Sequence, residues 1–374
     1  MNMQNLLKLI SALVAFKTVY LNNQEFNNCF DYIKFFFSKS DLYIKEYEFN
    51  GSKSLIVSNS ESKNLDVIFC GHIDVVPAQD TLFYVKQDGD ILRGRGVSDM
   101  KGQVAVMMQL MLECFAISDT DPGSKNVKKT NNINKKVALF LTSDEERGGF
   151  DGVNRLLNDL NYSAKVAIVP DGGFNFSLVE QAKGVLQIKI TQKGKGAHSS
   201  ELYLGENAIL KLLDMYKKII SIYVLPKNSL DYKTSANLSK IEGGDSLNRV
   251  PDSASIFLDI RYTPDQNMND ILHAIKNIEK EIDVEILAHG NAFKIDKNNE
   301  FIRNFLSISG DILRRDIDII NCNTASDGRF FTQKNIPCII MNPIGGGIHS
   351  DEEFVYLNSL ILLKNIYKKY LEKV

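Results

Sequence analysis

Four short apolar runs in this chain are each followed by imidazole or carboxylate side chains, and this repeated pattern constrains the fold more than any other feature. The runs are 65–70, 137–142, 166–169 and 338–341. The side chains that follow them are His72 and Asp74, Glu145 and Glu146, Asp171, and His349 after a triple-glycine turn. Apolar runs of this length indicate buried strands, and open α/β sheets keep their ligand sites at the carboxyl ends of strands. If the four strands share one sheet, these side chains converge on one rim.

The residue types in this set favour a divalent metal ion. A mixture of imidazole and carboxylate suits a borderline ion such as zinc, whereas an all-oxygen set favours magnesium or calcium. Asp99 is a further contributor, because it lies in a glycine-flanked loop (94–102, the Asp99 loop) before the apolar, predicted helix 103–115. Glycines allow the backbone to turn tightly and to approach a site closely. The sequence therefore predicts a metal site at the strand ends.

Taken in order, His72 with Asp74, the Asp99 loop, the Glu145–Glu146 pair, Asp171 and His349 resemble the motifs of the M20 metallopeptidase family. The resemblance extends over nearly the whole chain. That family includes dipeptidases, tripeptidases, aminoacylases, acetylornithine deacetylases and succinyl-diaminopimelate desuccinylases. The resemblance implies a zinc-peptidase-like α/β catalytic domain and a metal-dependent amidohydrolase that cleaves an amide bond of a small peptide or an N-acyl amino acid.

Carried over residue by residue, the resemblance implies two divalent metal ions per chain, Zn²⁺ or alternatively Co²⁺ or Mn²⁺. His72, Asp99 and Asp171 would hold one ion, and Asp99, Glu146 and His349 would hold the other. Asp99 would then be the bridge between them. Cations about 3.5 to 4 Å apart repel strongly, so such a pair needs shared negative charge between the ions.

Two acids beside the implied ligands have separate implied roles. Asp74, two residues after His72, matches the acid that fixes the imidazole tautomer, although a plain strand-end cap is the structural alternative. Glu145 resembles the family's general base, which takes a proton from metal-activated water and passes it to the leaving amine. Neighbours on an extended segment point apart, so Glu145 is not expected to face the same metal as Glu146. The alternative for Glu145 is a solvated acidic loop.

A different pattern begins near residue 184. The predicted elements between 185 and 288 follow the order β-α-β-β-α-β, with the second helix over 268–282, and this order is the ferredoxin-like arrangement. Candidate metal ligands occur in the sequence both before and after this block (184–292). The block is therefore predicted to be inserted into a catalytic domain formed by 1–183 and 293–374. The resemblance implies that the inserted domain is a lid through which the chain forms a homodimer.

Four further residues match substrate-facing positions of the family. His198, in the segment 194–200, resembles the lid histidine that donates to the substrate carbonyl oxygen. Asn248 and Arg261 match lid positions that bind the polar end of the substrate, and Arg329 lies in a stretch that resembles a substrate-facing segment. An arginine fork suits a carboxylate. Without the resemblance, Arg261 would be interpreted as a surface arginine at a strand edge.

Composition excludes several classes of protein. A chain of 374 residues with 44% hydrophobic content can bury a large core in two or three domains. The net charge of -2 gives no reason to expect nucleic acid or an anionic membrane as a partner. No apolar run approaches the roughly 18 residues of a membrane span.

Five cysteines without paired spacing predict free thiols in a reducing compartment, the cytoplasm. The polar segment 117–136 is predicted to be a mobile surface loop.

The substrate remains open between two activities. Asp171 with the two glycines after it resembles the family's peptidases, whereas its desuccinylases tend to have glutamate there, and a peptidase is favoured for this reason. The alternative is an N-acyl amino acid deacylase of the acetylornithine deacetylase or succinyl-diaminopimelate desuccinylase type. Hypotheses from other classes are a non-catalytic metal-binding member of the family and an assembly protein that oligomerises through an edge strand. Loss of Glu145 or of a ligand would favour the former, and none is lost.

Overall fold

The computed structural model describes residues 3–116, 133–223, 225–228 and 231–374. The chain divides into two compact units. Unit 1 contains Met1–Glu180, Ile295–Ile320 and Ser326–Val374, and unit 2 contains Gln181–Lys294 and Asn321–Ala325. Most of the segment predicted to be a mobile loop, residues 117–132, lies outside the described residues.

The helices and strands are numbered in chain order. The α-helices are α1 (Met3–Ala15), α2 (Asn23–Phe37), α3 (Lys101–Phe115), α4 (Val153–Asn158), α5 (Ala208–Ile222), α6 (Met268–Ile278), α7 (Glu300–Leu313), α8 (Gly328–Gln333) and α9 (Leu357–Lys373). The strands are β1 (Tyr43–Phe49), β2 (Ser52–Ser58), β3 (Asn64–His72), β4 (Lys86–Asp88), β5 (Ile91–Arg93), β6 (Val137–Thr142), β7 (Ser163–Ile168), β8 (Leu178–Ala182), β9 (Gly184–Lys193), β10 (Ser235–Gly243), β11 (Ser253–Tyr262), β12 (Ile282–Gly290), β13 (Phe293–Lys294), β14 (Ile319–Cys322), β15 (Cys338–Ile339), β16 (Gly345–Gly346) and β17 (Phe354–Tyr356).

The main sheet of unit 1 has six strands in the order β1-β2-β6-β3-β7-β15. β3 runs parallel to both β6 and β7, and β15 runs parallel to β7. β6 is buried along its whole length, as expected for a strand covered on both faces. The four apolar runs of the sequence therefore share one sheet, and their carboxyl ends open on the same rim. This confirms the predicted α/β fold class.

Helix α3 follows the Asp99 loop and is almost entirely buried. It packs against β3, α1 and α9, which explains why its sequence is apolar all round rather than on one face. The approach to β3 is close at Gly71, where a Cβ atom would lie 2.8 Å from Cε of Met107 and 2.9 Å from Cε of Met100. The glycine therefore allows the strand that ends at His72 to lie directly against the helix that begins after Asp99.

A second sheet of unit 1 contains short antiparallel strands in the order β16-β17-β5-β4. Val355 in β17 pairs with Leu92 in β5 and with Gly345 in β16. This sheet joins the chain around His349 to the chain that leads into the Asp99 loop.

Unit 2 contains the inserted block. Its four antiparallel strands lie in the order β10-β11-β9-β12, with α5 and α6 packed into the same core. The elements occur along the chain as β-α-β-β-α-β, so the predicted ferredoxin-like arrangement is confirmed. β9 alternates between buried and half-buried positions, with Leu186, Ile188 and Ile190 fully buried, as in a sheet covered on one face.

A third small sheet has the strand order β13-β8-β14. Its strands lie at the positions where the chain passes from unit 1 into unit 2 or returns to unit 1. Within the described ranges, no helix has both the length and the apolar character needed to span a bilayer.

Candidate metal centre

Asp99 lies between the two histidines of the rim. One of its carboxylate oxygens, Oδ1, is 3.2 Å from Nε2 of His72, and the other, Oδ2, is 3.2 Å from Nε2 of His349. His349 Nε2 is also 3.2 Å from the carboxylate of Glu146. A single carboxylate therefore faces both imidazoles, which is the arrangement that a bridging ligand requires.

Two groups of three donor side chains are close enough to hold metal ions. The first trio is His72, Glu145 and Asp171, and the second trio is Asp99, Glu146 and His349. Within each trio, one donor atom per residue lies within 4.8 Å of the others. Donor atoms that share a zinc ion at about 2.1 Å lie roughly 3 to 4 Å apart, so a small contraction suffices. Both trios thus fit a divalent ion.

The electrostatics of the rim also fit cations. Hydrogen bonds with Asp99 and Glu146 raise the pKa of His349 to about 10. Burial raises the pKa of Asp171 to about 7, with the charge of Asp99 adding to the effect, and burial together with the charge of Asp171 raises the pKa of Glu145 well above its usual range. The site therefore takes up protons to offset closely spaced carboxylates. Divalent ions offset the same charge and displace those protons.

The pKa of Asp99 is shifted in the opposite direction from the pKa values of Asp171 and Glu145. Burial tends to raise its pKa, but the hydrogen bonds with His349 and His72 outweigh burial and hold its pKa well below the usual range. The carboxylate between the imidazoles thus keeps its negative charge over the whole working range of pH.

Contacts of Nδ1, the ring nitrogen that faces away from Asp99, orient the imidazole of His72. Nδ1 lies 3.0 Å from the main-chain oxygen of Asp74 and 3.5 Å from Oδ1 of the same residue. A proton on Nδ1 can donate to Asp74, which leaves the lone pair of Nε2 directed at the rim. Asp74 Oδ2 also accepts a hydrogen bond of 2.9 Å from the amide of Glu146. Asp74 therefore contacts residues of both trios, and its role as the orienting acid stays a prediction.

The Glu145–Glu146 pair lies in a single 3₁₀ turn, Glu145–Arg147, directly after β6. Gly148 ends the turn at φ 103°, and its amide donates to Glu145 O at 2.7 Å. Asp144 Oδ2 accepts from the amides of Asp151 and Gly152 at 2.8 and 3.0 Å and closes the following loop. The turn places the two neighbouring glutamates in different trios.

Arg329 is buried, with 3% of its surface exposed. Its Nη2 donates to Gly148 O at 2.5 Å, and its guanidinium lies 4.7 Å from the ring centre of Phe330. Arg329 thus contacts the chain just after the Glu145 turn, a contact that sequence reasoning missed. Its assignment to the substrate stays a prediction.

The remaining candidate residues belong to unit 2. His198 is exposed, and its Nδ1 lies 2.8 Å from Ser200 Oγ. The amide of Ser199 donates to Asn248 O at 3.0 Å, so the His198 and Asn248 segments lie side by side. Arg261 forms an ion pair with Asp259, with Nε 2.6 Å from Oδ1. The roles of His198, Asn248 and Arg261 toward a substrate stay predictions.

Two supporting contacts near the rim were not predicted. Lys101 is fully buried, donates to Phe16 O at 2.6 Å and has a pKa lowered to about 8 by burial. Thr18 Oγ1 donates to Ile73 O at 2.5 Å, and Thr18 O accepts from the amide of Val75 at 3.0 Å. The chain after α1 therefore attaches both to the end of β3 and to the start of α3. A lysine in a polar loop gives no sequence signal for such burial.

The parallel strands β6, β3, β7 and β15 gather imidazoles and carboxylates into two adjacent trios at their carboxyl ends, and metal-dependent hydrolysis of an amide bond fits this site. The sequence profile of Peptidase family M20/M25/M40 matches residues 68–373. The chain belongs to this family, as its motifs indicated.

Similar proteins include both deacylases and peptidases. A probable succinyl-diaminopimelate desuccinylase of Staphylococcus epidermidis is 25% identical and is aligned over 99% of this chain and 98% of its own length. A succinyl-diaminopimelate desuccinylase of Buchnera aphidicola is 28% identical, over 83% of this chain and 85% of its own. The crystal structure of a tripeptidase from Staphylococcus aureus, 21% identical, has a TM-score of 0.76 over 100% of this chain and 98% of that one. The structural likeness shows the fold alone.

Proposed function

We propose that this chain hydrolyses the amide bond of a small peptide or an N-acyl amino acid at a centre that holds two divalent ions. The observation that carries the proposal is the position of Asp99, whose two carboxylate oxygens each lie 3.2 Å from a different histidine. The same carboxylate would then contact both ions. Imidazole with carboxylate suits zinc, and Co²⁺ or Mn²⁺ are the alternatives.

Each residue of the rim has a proposed task. His72 and Asp171 would hold the first ion, Glu146 and His349 would hold the second, and Asp99 would contribute to both. When bound, the ions supply Lewis acidity and lower the pKa of water. Glu145 takes the proton of the attacking water and delivers it to the nitrogen of the leaving amine. The position of Glu145 supports this task, because its carboxylate lies within 4.8 Å of donor atoms of His72 and Asp171.

Two substrate classes are proposed in order. A short peptide comes first, because Asp171 followed by two glycines resembles the family's peptidases. A second candidate is an N-succinyl or other N-acyl amino acid. This candidate is favoured by relatives described as succinyl-diaminopimelate desuccinylases, at 25% to 28% identity. In either case Arg261 and Asn248 are proposed to bind the polar end of the substrate, and Arg329 is proposed to be a further substrate-binding residue.

Unit 2 is proposed to be a lid and a dimerisation domain. β10 and β12 are the edge strands of its sheet, and edge strands can pair with a second copy across a two-fold axis. Unit 2 also exposes large apolar side chains, among them Leu202, Leu210 and Leu247. In the proposed dimer, His198 donates to the carbonyl oxygen of the substrate in the partner's site.

The proposed location is the cytoplasm. All five cysteines are free thiols, and four of them are buried. Free thiols persist in a reducing compartment.

The decisive experiment combines metal analysis with a substrate panel. Purified protein loaded with Zn²⁺, Co²⁺ or Mn²⁺ is incubated with dipeptides, tripeptides, acetylornithine and succinyl-diaminopimelate. Cleavage of peptides supports the first candidate, and cleavage of the N-acyl compounds supports the second. Protein that holds two metal ions and cleaves nothing in the panel would favour a non-catalytic member, and an oligomer without metal or turnover would favour an assembly protein.

A further inference from the structure

Glu353 is a buried carboxylate without a task in the proposed function. Its side chain is 1% exposed, whereas that of the preceding residue, Glu352, is 85% exposed. Burial of a charged carboxylate is costly unless the group is paired and hydrogen-bonded. The partners of Glu353 therefore indicate what the buried charge does.

Among the residues that the structure describes, the side-chain hydrogen-bond partners of Glu353 all belong to the Asp99 loop. Oε2 accepts hydrogen bonds from Arg95 Nη1 at 2.7 Å and from the amide of Gly96 at 3.0 Å. Oε1 accepts from the amides of Ser98 and Asp99 at 3.0 and 3.2 Å. One carboxylate thus fixes three backbone amides of the loop, and the last of them belongs to Asp99 itself.

Glu353 also belongs to the segment that carries His349. This segment begins in a tight turn, where the amide of Ser350 donates to Gly347 O at 3.0 Å. A Cβ atom on Gly347 would lie 2.5 Å from Glu352 O, so the turn closes directly onto the residues before Glu353. His349 itself has a positive φ of 64°. The backbone between His349 and Glu353 is therefore compact.

We infer that Glu353 is a positioning residue for the second trio. Its side chain holds the amide of Asp99, its main chain continues from His349, and together these contacts set the 3.2 Å spacing between Asp99 Oδ2 and His349 Nε2. This inference rests on the proposed function, since it requires a metal ion at the second trio. Within the described chain, the side-chain hydrogen bonds of Glu353 reach Asp99, which is proposed to serve both ions, but neither His72 nor Asp171.

Glu353→Gln is the principal test. The amide keeps the shape of the side chain but turns an NH₂ group toward N–H donors, so one pair of the hydrogen bonds cannot form. Metal-free, full-length protein is titrated with Co²⁺ and followed by visible absorption and calorimetry. The site of the second trio contains both Asp99 and His349 and should bind Co²⁺ ~10- to 100-fold more weakly, as is typical when a residue that orients a ligand is lost. The other site shares only Asp99 and should lose less affinity. His349→Ala, which removes a donor of the second trio, identifies the affected site.

Glu352→Gln is the matched control. It makes the same chemical change one residue earlier, at a carboxylate whose ion-pair contact is with Arg93 at 3.5 Å. This variant should titrate like wild type. Arg95→Met is the second comparison, because it removes the charged partner of Glu353 and leaves the amides of Ser98 and Asp99 bonded. It should lower thermal stability while it weakens Co²⁺ binding less than Glu353→Gln does.

The outcomes separate this inference from the proposed function. Wild-type protein that binds fewer than two Co²⁺ ions would overturn the proposed function. Wild type with two sites, together with a less stable Glu353→Gln protein that keeps both sites at wild-type affinity, would overturn the positioning role alone. If Glu353→Gln does not fold, Glu353→Asp takes its place, because it keeps the charge and shortens the reach by one methylene. A smaller loss at the same site is then expected, and unchanged affinity at both sites would again overturn the role.

Discussion

The amide of Glu146 donates to the carboxylate of Asp74 across a distance of 2.9 Å, and this bond joins the chain after β3 to the turn after β6. Asp74 also lies beside Nδ1 of His72, with its main-chain oxygen at 3.0 Å and Oδ1 at 3.5 Å, so one residue contacts a donor residue in each trio.

Replacement of Asp74 by asparagine is expected to weaken the binding of both metal ions. The asparagine side chain has the same size but lacks the negative charge that faces His72, and loss of such an orienting partner typically costs ~10- to 100-fold in metal affinity. Calorimetric titration with Zn²⁺ measures the effect. Asp88→Asn, at an exposed position in β4, is the control and should bind both ions normally.

Replacement of Asp99 by alanine is expected to damage both metal sites rather than one. Its two oxygens face different histidines, so the variant loses a donor to each ion and the charge that holds the two cations together. Elemental analysis after dialysis against a metal buffer gives the stoichiometry. A single tightly held ion in wild type, unchanged in the variant, contradicts the bridging assignment.

Replacement of Glu145 by glutamine is expected to leave metal content nearly intact and to remove most of the turnover. The amide fits the same space but cannot take a proton from water, and a general base typically supplies ~10²- to 10⁴-fold in rate. kcat and bound metal are measured on the same preparation. Substantial activity in this variant would move the base role to another residue.

The lid hypothesis predicts complementation between two inactive variants. His198→Ala should lower kcat by ~10²- to 10³-fold at normal metal content, because the histidine is proposed to donate to the developing oxyanion. If His198 acts on the partner's site, mixing this variant with Glu145→Ala under subunit exchange should restore part of the activity. A fully active monomer in sedimentation, or mixtures that stay inactive after demonstrated exchange, would leave His198 acting within its own chain.

The pH dependence of the free energy of unfolding tests the burial of Lys101. Burial lowers its pKa to about 8 in the folded protein, from 10.5 for an ordinary lysine. Between these values the unfolded chain binds the proton more tightly, so the free energy of unfolding contributed by this residue rises with pH across that interval. The free energy of unfolding of metal-free wild type, relative to Lys101→Met, should therefore increase by roughly 3 kcal/mol from below pH 8 to above pH 10.5. Urea denaturation at about pH 7.5 and about pH 9.5 samples part of this change, and a constant difference contradicts it.

The long elements and the rim could be predicted from the sequence because their signals are local. β6 was predicted with its observed ends, Val137 and Thr142, since an uninterrupted apolar run between polar segments marks a fully buried strand. Helix α6 was predicted to reach Ile282 but ends at Ile278. Ile282 is instead the first residue of β12 and pairs with Gln192. The charged residues 279–281 before it do not reveal this long-range contact.

The supporting contacts of the site could not be predicted in the same way. Glu353 ends an acidic run that indicates a solvated loop, yet it is 2% exposed because the Asp99 loop surrounds it with donors. The strands that bring these loops together, β5, β16 and β17, are two or three residues long and carry no periodic pattern. Such strands form only where tertiary structure supplies their partners.

The division of unit 1 by unit 2 has a consequence for synthesis on the ribosome. The first trio is encoded before unit 2, since its last member is Asp171, whereas the second trio waits for His349. At roughly 5 to 20 residues per second, translation reaches His349 roughly 10 to 35 s after Asp171. During that interval a nascent chain has the donors of the first trio. It lacks both His349 and Glu353, the residues that contact the side chain and the amide of Asp99 in the folded protein. The order of the chain thus delivers the donors of the two trios in succession, those of the second only when synthesis is nearly finished.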